Sequence, residues 1–460
     1  MNSEKKEIES LRSEGDLNIS PRRKAWAKEH IDAETQRWLD LDARYFLHQS
    51  LSTPCLNVLS HCKGINIEDL RGRSFMDFHG NNVHQVGFAN RRVIDAVKNQ
   101  MENLAFCTRR YTNIPAIKLA EKLAQLAPGD LSKVLFAPAG TAAVGMALKL
   151  ARMATGRFKT ISMWDSFHGA SLDAISVGGE AIFRKDAGPL LPGAEHVPPP
   201  DCYRCLWGCE EGNCTLQCAD YIEYVLGKEG DVAAVIAETV RSTSVIPPAG
   251  YWKKVRAACD KHGALLILDE IPHCLGRTGR MFTCQHFDVI PDILLIGKGL
   301  GGGIFPLAAL IAREDLDIAP DRALGHYTHE KNPVACAAAS ATIECLEEEN
   351  LLANAEKMGN YAMNRLRDMM QCHKIIGAVR GLGLLMGVEL VKDRQTKIPA
   401  AEEAEHVMYG ALSRGLNFKV TMGNIITLTP PLTITELEMD RASDILEKCI
   451  VEVEKQERSD

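Results

Sequence analysis

No run of apolar residues in this sequence approaches the length of a membrane-spanning helix. The first ten residues, MNSEKKEIES, are charged where a secretion signal requires an apolar stretch. An excess of basic residues is also absent, because the formal net charge is -7, and this argues against nucleic-acid binding. We find no internal repeat and no low-complexity segment. These absences lead us to expect a cytoplasmic globular protein with neither a membrane nor a nucleic-acid partner.

Cysteine, by contrast, is plentiful. Most of the 15 cysteines are scattered, and in a reducing cytosol we interpret them as small buried hydrophobic residues. Five lie together, and these are Cys202, Cys205, Cys209, Cys214 and Cys218. Their spacing permits a zinc site but differs from the repeated two-residue spacing of common zinc motifs. We predict no metal here and interpret the cluster as a packed surface excursion.

Three short apolar runs occupy the middle of the chain: DVAAVIAETV, GALLILDEI and DILLIGKG. Runs this apolar are typical of parallel strands that helices cover on both faces. They end at Glu238, Asp269 and Lys298, which are spaced 31 and 29 residues apart, about one βαβ unit each. Since ligands bind at the carboxyl ends of such strands, we expect these three side chains to lie near one ligand site.

Lys298 stands in a glycine-rich stretch and has three possible interpretations. Gly297, Gly299 and Gly302 match a dinucleotide fingerprint, but the following GIFPLAALIA predicts a strand where that motif needs a helix. A P-loop needs Ser or Thr directly after the lysine, and Gly299 stands there. The remaining interpretation is a lysine that forms a covalent bond, because desolvation at a buried strand end makes an amine more nucleophilic.

Pyridoxal phosphate (PLP) is the cofactor that such a lysine implies. It needs a carboxylate at its ring nitrogen, an aromatic ring to stack on, and donors for its phosphate. Asp269 ends the neighbouring strand, SFHG supplies Phe167, and PAGTAA opens a helix whose N-terminus can bind phosphate. Each feature alone has an ordinary structural explanation, but their order on successive strand ends favours a cofactor site. The candidate cofactor-binding residues are Gly140, Thr141, Phe167, His168, Asp269 and Lys298.

With these motifs, and with LGRTGR, PDILLIGKGLGGG, NPVACAAA and TPPLTIT, the chain resembles the class III aminotransferase group of fold-type I PLP enzymes over roughly residues 45–455. The resemblance implies an α/β fold in which helices enclose a mostly parallel seven-stranded sheet, with a smaller α+β domain built from both termini. We expect residues 1–85 to form a helical arm and part of the small domain. Residues 86–330 are expected to form the large PLP-binding domain, and residues 331–460 the rest of the small domain.

The resemblance also implies a homodimer with shared active sites. It places Thr328, four residues before Asn332, at the phosphate of the partner subunit's cofactor. It makes Lys298 and Asp269 the catalytic residues.

The departures from the family pattern concern the substrate. Related aminotransferases follow the strand ending at Glu238 with a loop that carries a second glutamate, and this chain has ETVRSTSV instead. They carry an arginine where Thr427 stands, and that arginine grips a substrate carboxylate. The loss of both groups argues against transamination between an amino acid and an oxo acid. Pro272 and Ala142 likewise replace the glutamine and glutamate that are usual near the cofactor.

Two segments resemble a phospholyase branch of the family, which acts on small amines bearing phosphate. NNVHQVG contains Asn82, and TRRYTN contains Arg109 and Arg110. We predict substrate binding by Asn82 and Arg110, with Arg109 either assisting or remaining a surface charge. His273 is either a proton donor to a leaving group or a core histidine.

These observations favour a PLP-dependent ammonia-lyase that eliminates a β-leaving group from a small phosphonate-bearing amine. An ω-amine transaminase with an unusual oxo acceptor remains an alternative, and so does a phospholyase acting on a phosphorylated amino alcohol. An alternative of another class is a non-catalytic scaffold that binds the cofactor or zinc.

Overall fold

Helices and strands alternate through the middle of the chain, as the apolar pattern predicts. The computed structural model describes residues 20–209 and 213–456, so residues 1–19 of the predicted N-terminal arm lie outside it. The helices are α1 (Pro21–His30), α2 (Ala33–Tyr45), α3 (Arg91–Asn103), α4 (Ile114–Leu126), α5 (Gly140–Thr155), α6 (Leu172–Val177), α7 (Ala181–Arg184), α8 (Gln217–Glu229), α9 (Tyr251–His262), α10 (Pro333–Glu348), α11 (Leu351–Cys372), α12 (Ala401–Ser413) and α13 (Glu436–Gln456). The strands are β1 (Leu59–Lys63), β2 (Asn66–Asp69), β3 (Ser74–Asp77), β4 (Leu131–Ala137), β5 (Lys159–Met163), β6 (Ala194–Val197), β7 (Val232–Glu238), β8 (Leu265–Asp269), β9 (Ile293–Ile296), β10 (Ala308–Arg313), β11 (Ile376–Leu382), β12 (Leu385–Leu390), β13 (Leu416–Asn417), β14 (Lys419–Thr421) and β15 (Ile425–Leu428).

The largest sheet has seven strands in the order β4-β10-β9-β8-β7-β5-β6. β10 runs antiparallel to both of its neighbours, and the other pairs are parallel. The three runs predicted as buried parallel strands are β7, β8 and β9, and every residue in them is buried. The predicted α/β fold with a mostly parallel seven-stranded sheet is therefore confirmed.

Helix α5 covers one face of this sheet and follows directly from β4. Its buried side chains are four alanines together with Val144, Met146, Leu148 and Leu150, and they pack into the same apolar core as β7, β8 and β10. It ends at Gly156, whose φ of 66° is a conformation that glycine adopts at little cost. Its first turn begins at the end of β4, and this places the helix N-terminus at the carboxyl edge of the sheet.

The described residues divide into two compact units, one within residues 81–353 and the other within residues 1–80 and 354–460. We predict domain boundaries after residues 85 and 330, and these stay a prediction beside the division of the contacts after residues 80 and 353. Helix α10 packs against α3 and α4 inside the first of these units. The chain from Pro333 to Cys372 forms two helices, α10 and α11, and Asn350 between them has a positive φ.

The second unit contains two smaller sheets. One has the order β1-β2-β3-β13, in which β3 and β13 are parallel, so strands from early and late parts of the chain share a sheet. The other, β11-β12-β15-β14, is antiparallel throughout. Across the described residues, no helix combines the length and the apolar composition needed to span a membrane.

A buried carboxylate ties the end of β7 to the segment after β8. Glu270 accepts hydrogen bonds from Thr239 Oγ1 at 2.9 Å, from the Thr283 amide at 2.6 Å and from the Cys284 amide at 2.6 Å. Burial raises the pKa of Glu270 from 4.5 to about 7, although the three hydrogen bonds act in the opposite direction. The native state therefore binds this proton more tightly than the unfolded chain does.

This shift predicts a pH dependence of stability. A carboxyl whose pKa rises on folding lowers the free energy of unfolding as the pH increases from 4.5 to about 7, and its cost is then constant. The free energy of unfolding of the native chain, taken relative to that of Glu270→Gln, should therefore fall across this window. Calorimetry of both proteins at a series of pH values measures the difference, and a flat or rising difference would contradict the assignment.

Gly179, between α6 and α7, is predicted to tolerate no side chain. A Cβ at this position would lie 2.3 Å from the Met163 carbonyl oxygen and 2.5 Å from the Asp165 amide nitrogen, so backbone would have to move. We expect Gly179→Ala to lower the free energy of unfolding by about 2 kcal/mol or more. The control is Gly227→Ala in α8, where a Cβ meets only the His262 ring at 3.4 Å and helix propensity favours alanine. Equal melting temperatures for the two variants would refute this expectation.

Candidate active site

A cavity of about 410 Å³ opens at the carboxyl edge of the seven-stranded sheet. Its size is that of a small-molecule pocket. Every residue that lines it belongs to the unit within residues 81–353. The lining consists of Val83, Pro138, Ala139, Gly140, Thr141, Phe167, His168, Gly169, Asp269, Ile271, Pro272, Lys298, Gly303, Ile304, Phe305, Pro306 and Leu307. Six of the seven predicted cofactor-binding residues thus line one cavity, and the seventh, Thr328, does not.

Asp269 and His168 form a buried pair on the cavity wall. His168 Nδ1 lies 2.8 Å from Asp269 Oδ2, and both side chains are almost completely buried. Asp269 Oδ1 accepts the Ile271 amide at 3.1 Å, and His168 Nε2 lies 3.5 Å from Ser162 Oγ. A carboxylate only accepts hydrogen bonds, so the imidazole donates from Nδ1 and fixes the orientation of Asp269. Sequence reasoning placed His168 at the cofactor but did not foresee this pairing.

The N-terminus of α5 forms another part of the cavity. No side chain caps this helix at Ala139, so its first amides are not bonded to a capping group. Thr141 Oγ1 lies 2.5 Å from Ser171 Oγ, and the Ser171 hydroxyl donates to Asp173. Gly169 is necessary beside them, since its φ is 120° and a Cβ there would lie 2.5 Å from Thr141 Oγ1. The hydroxyls of Thr141 and Ser171 and the Asp173 carboxylate are thus linked by hydrogen bonds beside the uncapped N-terminus of α5.

Lys298 begins a 3₁₀ turn that leaves the end of β9. Its own φ is 46°, in the left-handed region that non-glycine residues seldom adopt. The glycines that follow make room for the segment around Val83. A Cβ at Gly299 would lie 1.9 Å from Gln85 Oε1, and a Cβ at Gly303 would lie 3.1 Å from the Val83 carbonyl oxygen. The glycine-rich stretch thus accommodates a neighbouring segment of protein.

Phe167 and Pro272 complete the apolar part of the wall. The Phe167 ring lies 4.7 Å from that of Phe183, tilted by 40°. Pro272, which replaces the family's usual glutamine, lines the cavity directly. His273 points elsewhere, because it is fully buried, does not line the cavity and has its Nδ1 3.0 Å from Thr283 Oγ1. Its environment therefore favours the interpretation as a core histidine over that as a proton donor.

The predicted substrate residues are not part of the cavity wall. Among the described residues that line it, none is Asn82, Arg109, Arg110 or Thr328. Arg110 and Thr328 are exposed, and Arg109 pairs with Glu330 at 3.2 Å. Asn82 is 2% exposed with a φ of 59°, directly before Val83 of the wall.

Two further contacts join the segments that carry Arg110 and Thr328. The Asn113 side-chain amide donates to the Lys331 carbonyl at 3.0 Å, and the ring of Phe106 meets that of His329 edge-on. Together with the pair between Arg109 and Glu330, these contacts hold both segments on one surface of the same unit. A residue on this surface would have to reach a cavity of another subunit for the predicted roles to hold.

The loop after β7 contains an arginine that sequence reasoning overlooked. Arg241 is buried, with its guanidinium 3.3 Å from Glu180 and 3.6 Å from Glu238. Both carboxylates are also buried. This group occupies the segment in which related enzymes carry their second glutamate. The only signal in the sequence was Arg241 itself, in the text ETVRSTSV.

Thr427, which stands where an arginine was expected, lies in the other unit. It is on β15, it is 1% exposed, and its Oγ1 is 2.9 Å from Thr421 Oγ1. Its side chain is thus committed to a hydrogen bond within its own sheet and carries no charge that could bind a carboxylate.

The cavity fits PLP on the features it shows. Lys298 supplies an amine, Asp269 a buried carboxylate that His168 orients, and Phe167 an aromatic wall. The uncapped N-terminus of α5 offers amide donors for a phosphate, and Gly140 keeps it open since a Cβ there would lie 3.0 Å from Ile271 Cδ1. No residue of this wall conflicts with the group.

Comparisons with known proteins agree with this geometry. The family model of the class III aminotransferases matches residues 48–450. The chain is 50% identical over 458 residues to the (R)-1-hydroxy-2-aminoethylphosphonate ammonia-lyase of Vibrio splendidus (strain 12B01), with 96% of each chain covered. It is 39% identical to a leucine/methionine racemase of Thermococcus litoralis, with 90% of this chain and 94% of the racemase covered.

A solved structure gives the same result. The ω-transaminase of Pseudomonas jessenii in complex with PMP superposes with a TM-score of 0.85 at 30% identity, over 91% of this chain and 98% of that one. Its fold and the family match, together with the fit of the cavity to PLP, leave no ambiguity about the class of protein. The chain belongs to the class III aminotransferase family and is a PLP enzyme.

Proposed function

We propose that this protein is a PLP-dependent ammonia-lyase that converts (R)-1-hydroxy-2-aminoethylphosphonate to phosphonoacetaldehyde and ammonia. The proposal rests on the similarity to the Vibrio splendidus enzyme, which extends over 96% of both chains. The structural observation that carries it is Thr427, an uncharged side chain bonded to Thr421 at the position of the expected arginine. A transaminase that alternates with a dicarboxylic oxo acid needs that charge.

The residues of the cavity have distinct roles in this proposal. Bound PLP supplies an electron-withdrawing ring that accepts the charge left when a C–H bond beside nitrogen breaks. Lys298 Nζ removes the proton from the carbon that bears the substrate nitrogen. Asp269, oriented by His168 at 2.8 Å, holds a proton at the ring nitrogen. Gly140 and Thr141 would hold the phosphate of PLP through the amides of α5, and Phe167 would supply the aromatic surface for its ring.

The elimination balances without a second substrate. The substrate loses a proton from the carbon next to nitrogen and hydroxide from the neighbouring carbon, which is one water in total. The enamine that leaves the enzyme takes up one water to give the aldehyde and ammonia. No net oxidation occurs, so no oxo acid is required.

A homodimer with shared sites accounts for the residues outside the cavity. Arg110 and Thr328 lie on one surface of their unit and do not line its own cavity. We propose that Thr328 reaches the phosphate of the partner subunit's cofactor and that Arg110 grips the substrate phosphonate. Asn82, next to Val83 of the wall, contacts the substrate in its own subunit.

Two other activities fit the same cavity. An ω-amine transaminase is favoured by the likeness to the Pseudomonas jessenii enzyme. A phospholyase would use the same residues and release phosphate in place of hydroxide. A non-catalytic scaffold is disfavoured because Lys298 and Asp269 are both present in the cavity.

The proposal predicts ammonia release from the hydroxy aminophosphonate with no oxo acid added. A transaminase would release none until an oxo acid is supplied, and a phospholyase would release inorganic phosphate from a phosphorylated amino alcohol.

Lys298→Ala should lower the rate by at least about a thousandfold, because no other amine lines the cavity within the described residues. Ammonia and phosphate assays on both proteins decide the matter, and steady turnover by Lys298→Ala would refute the role of the lysine.

The proposed binding of the substrate phosphonate by Arg110 can be tested with a matched pair of variants. Arg110→Ala should raise KM for the phosphonate by about tenfold or more, since a charge-assisted bidentate contact is lost. Arg109→Ala is the control, because Arg109 already pairs with Glu330. Steady-state kinetics of both variants gives the comparison. An unchanged KM in Arg110→Ala, or an equal rise of KM in both variants, would show that another residue binds the phosphonate.

A further inference from the structure

The segment that runs from the end of β6 into the first turn of α8 holds five cysteines for which the proposed activity has no use. They are Cys202, Cys205, Cys209, Cys214 and Cys218, and none is in a disulfide. Residues 210–212 within this segment lie outside the described part of the chain. Among the described residues, no three metal-binding side chains are placed to hold a metal ion. The segment lies outside the cavity wall, so its chemistry is separate from that of the PLP site.

Cys209 is the centre of the cluster. The side chains of Cys205 and Cys214 both hydrogen-bond to its sulfur, so each of these two thiols lies beside Cys209. Its sulfur also lies 3.9 Å from Thr215 Oγ1 and 3.9 Å from Gln217 Oε1. Cys209 is half-buried, and a small reagent can therefore approach it from solvent.

The surrounding donors favour negative charge on sulfur. A hydrogen bond from the Thr215 backbone amide is the main cause that lowers the pKa of the Cys209 thiol below its usual value, and the two neighbouring thiols add to it. The Leu216 amide donates to Cys214 Sγ at 3.4 Å. Cys218, next in sequence, shows the opposite behaviour because burial raises its pKa to about 12. Thiolate character, which determines reactivity toward disulfides, is therefore favoured at Cys209.

We propose that Cys209 is a covalent modification site for low-molecular-weight disulfides and that it closes an internal disulfide with Cys205 or Cys214. The Cys209 thiolate attacks one sulfur of the small disulfide, whose S–S bond breaks and releases one thiolate. The neighbouring thiol loses its proton and attacks the Cys209 sulfur of the mixed disulfide, which expels the second small thiolate. Two protein thiols are oxidised and one small disulfide is reduced to two thiols, so atoms and electrons balance.

The sequence makes the product easy to identify. Trypsin cuts after Arg204 and Lys228, so Cys205, Cys209, Cys214 and Cys218 fall in one peptide. An internal disulfide lowers the mass of that peptide by two hydrogens. Cleavage after Glu210 or Glu211 then distinguishes the two pairings: a bond between Cys209 and Cys214 keeps the fragments joined, and a bond between Cys205 and Cys209 lets them separate.

The test exposes the PLP-loaded enzyme to glutathione disulfide and follows this peptide by mass spectrometry. We expect the internal disulfide to form, and we expect Cys209→Ser to form it at least about tenfold more slowly. The exposed Cys372, outside the cluster, reports ordinary surface reactivity, and the variant Cys372→Ser should match the unmodified chain. Ammonia release by Cys209→Ser should be unchanged, since the residue is not in the cavity wall.

Three outcomes would overturn the proposal. Modification of Cys372 as fast as that of Cys209 would show a cluster with no special reactivity. Disulfide formation at the same rate in Cys209→Ser would move the reactive thiol elsewhere. One equivalent of zinc per chain in the purified enzyme, with thiols that react only after chelation, would make the cluster a metal site. None of these outcomes depends on whether the proposed substrate is the right one.

Discussion

The site depends on the register of three buried parallel strands. Glu238 of β7 is paired with Asp269 of β8, and Asp269 with Leu295 of β9, so the polar ends of these strands meet at one edge. Every residue of the three strands is buried, and a shift of one residue would drive charged groups into the apolar core. The register therefore places Asp269 and Lys298 in the same cavity wall. The pair between Asp269 and His168 adds orientation to this placement.

Glycine has two different functions around the cavity. Glycine is required at position 169 because the backbone has a positive φ there and because a Cβ would clash with Thr141, so Gly169 shapes the region beside the helix N-terminus. Gly299 and Gly303 have no catalytic chemistry of their own, and they allow the segment from Val83 to Gln85 to pack against the turn that carries Lys298. A sequence motif that imitates a phosphate-binding loop is thus explained by packing between two segments of protein.

The choice between elimination and transamination rests on charges that are missing or already paired. Thr427 offers a hydroxyl that is bonded within its own sheet. Arg241, in the loop where relatives carry a glutamate, is held by Glu180 and Glu238 in a buried ionic group. Breaking such a group to bind a substrate carboxylate would leave buried charges unpaired, which is costly. The chain is similar to a racemase as well as to an ammonia-lyase. This fits a family whose members share the removal of a proton from the substrate and differ in the bonds that break or form afterwards.

Apolar runs were enough to predict three buried strands and their polar ends, because these depend on local geometry that recurs in open α/β sheets. The seven-stranded sheet was implied by the resemblance to the class III aminotransferases. The unit boundaries could not be read in this way, since α10 is assigned by packing against α3 and α4, which are distant in sequence. Other features likewise exist only in the tertiary structure: the hydrogen bond between His168 and Asp269, the burial of Arg241, and the contacts that Cys205 and Cys214 make with Cys209. Each of these contacts joins side chains that only the folded chain brings together, and no periodicity in the sequence predicts them.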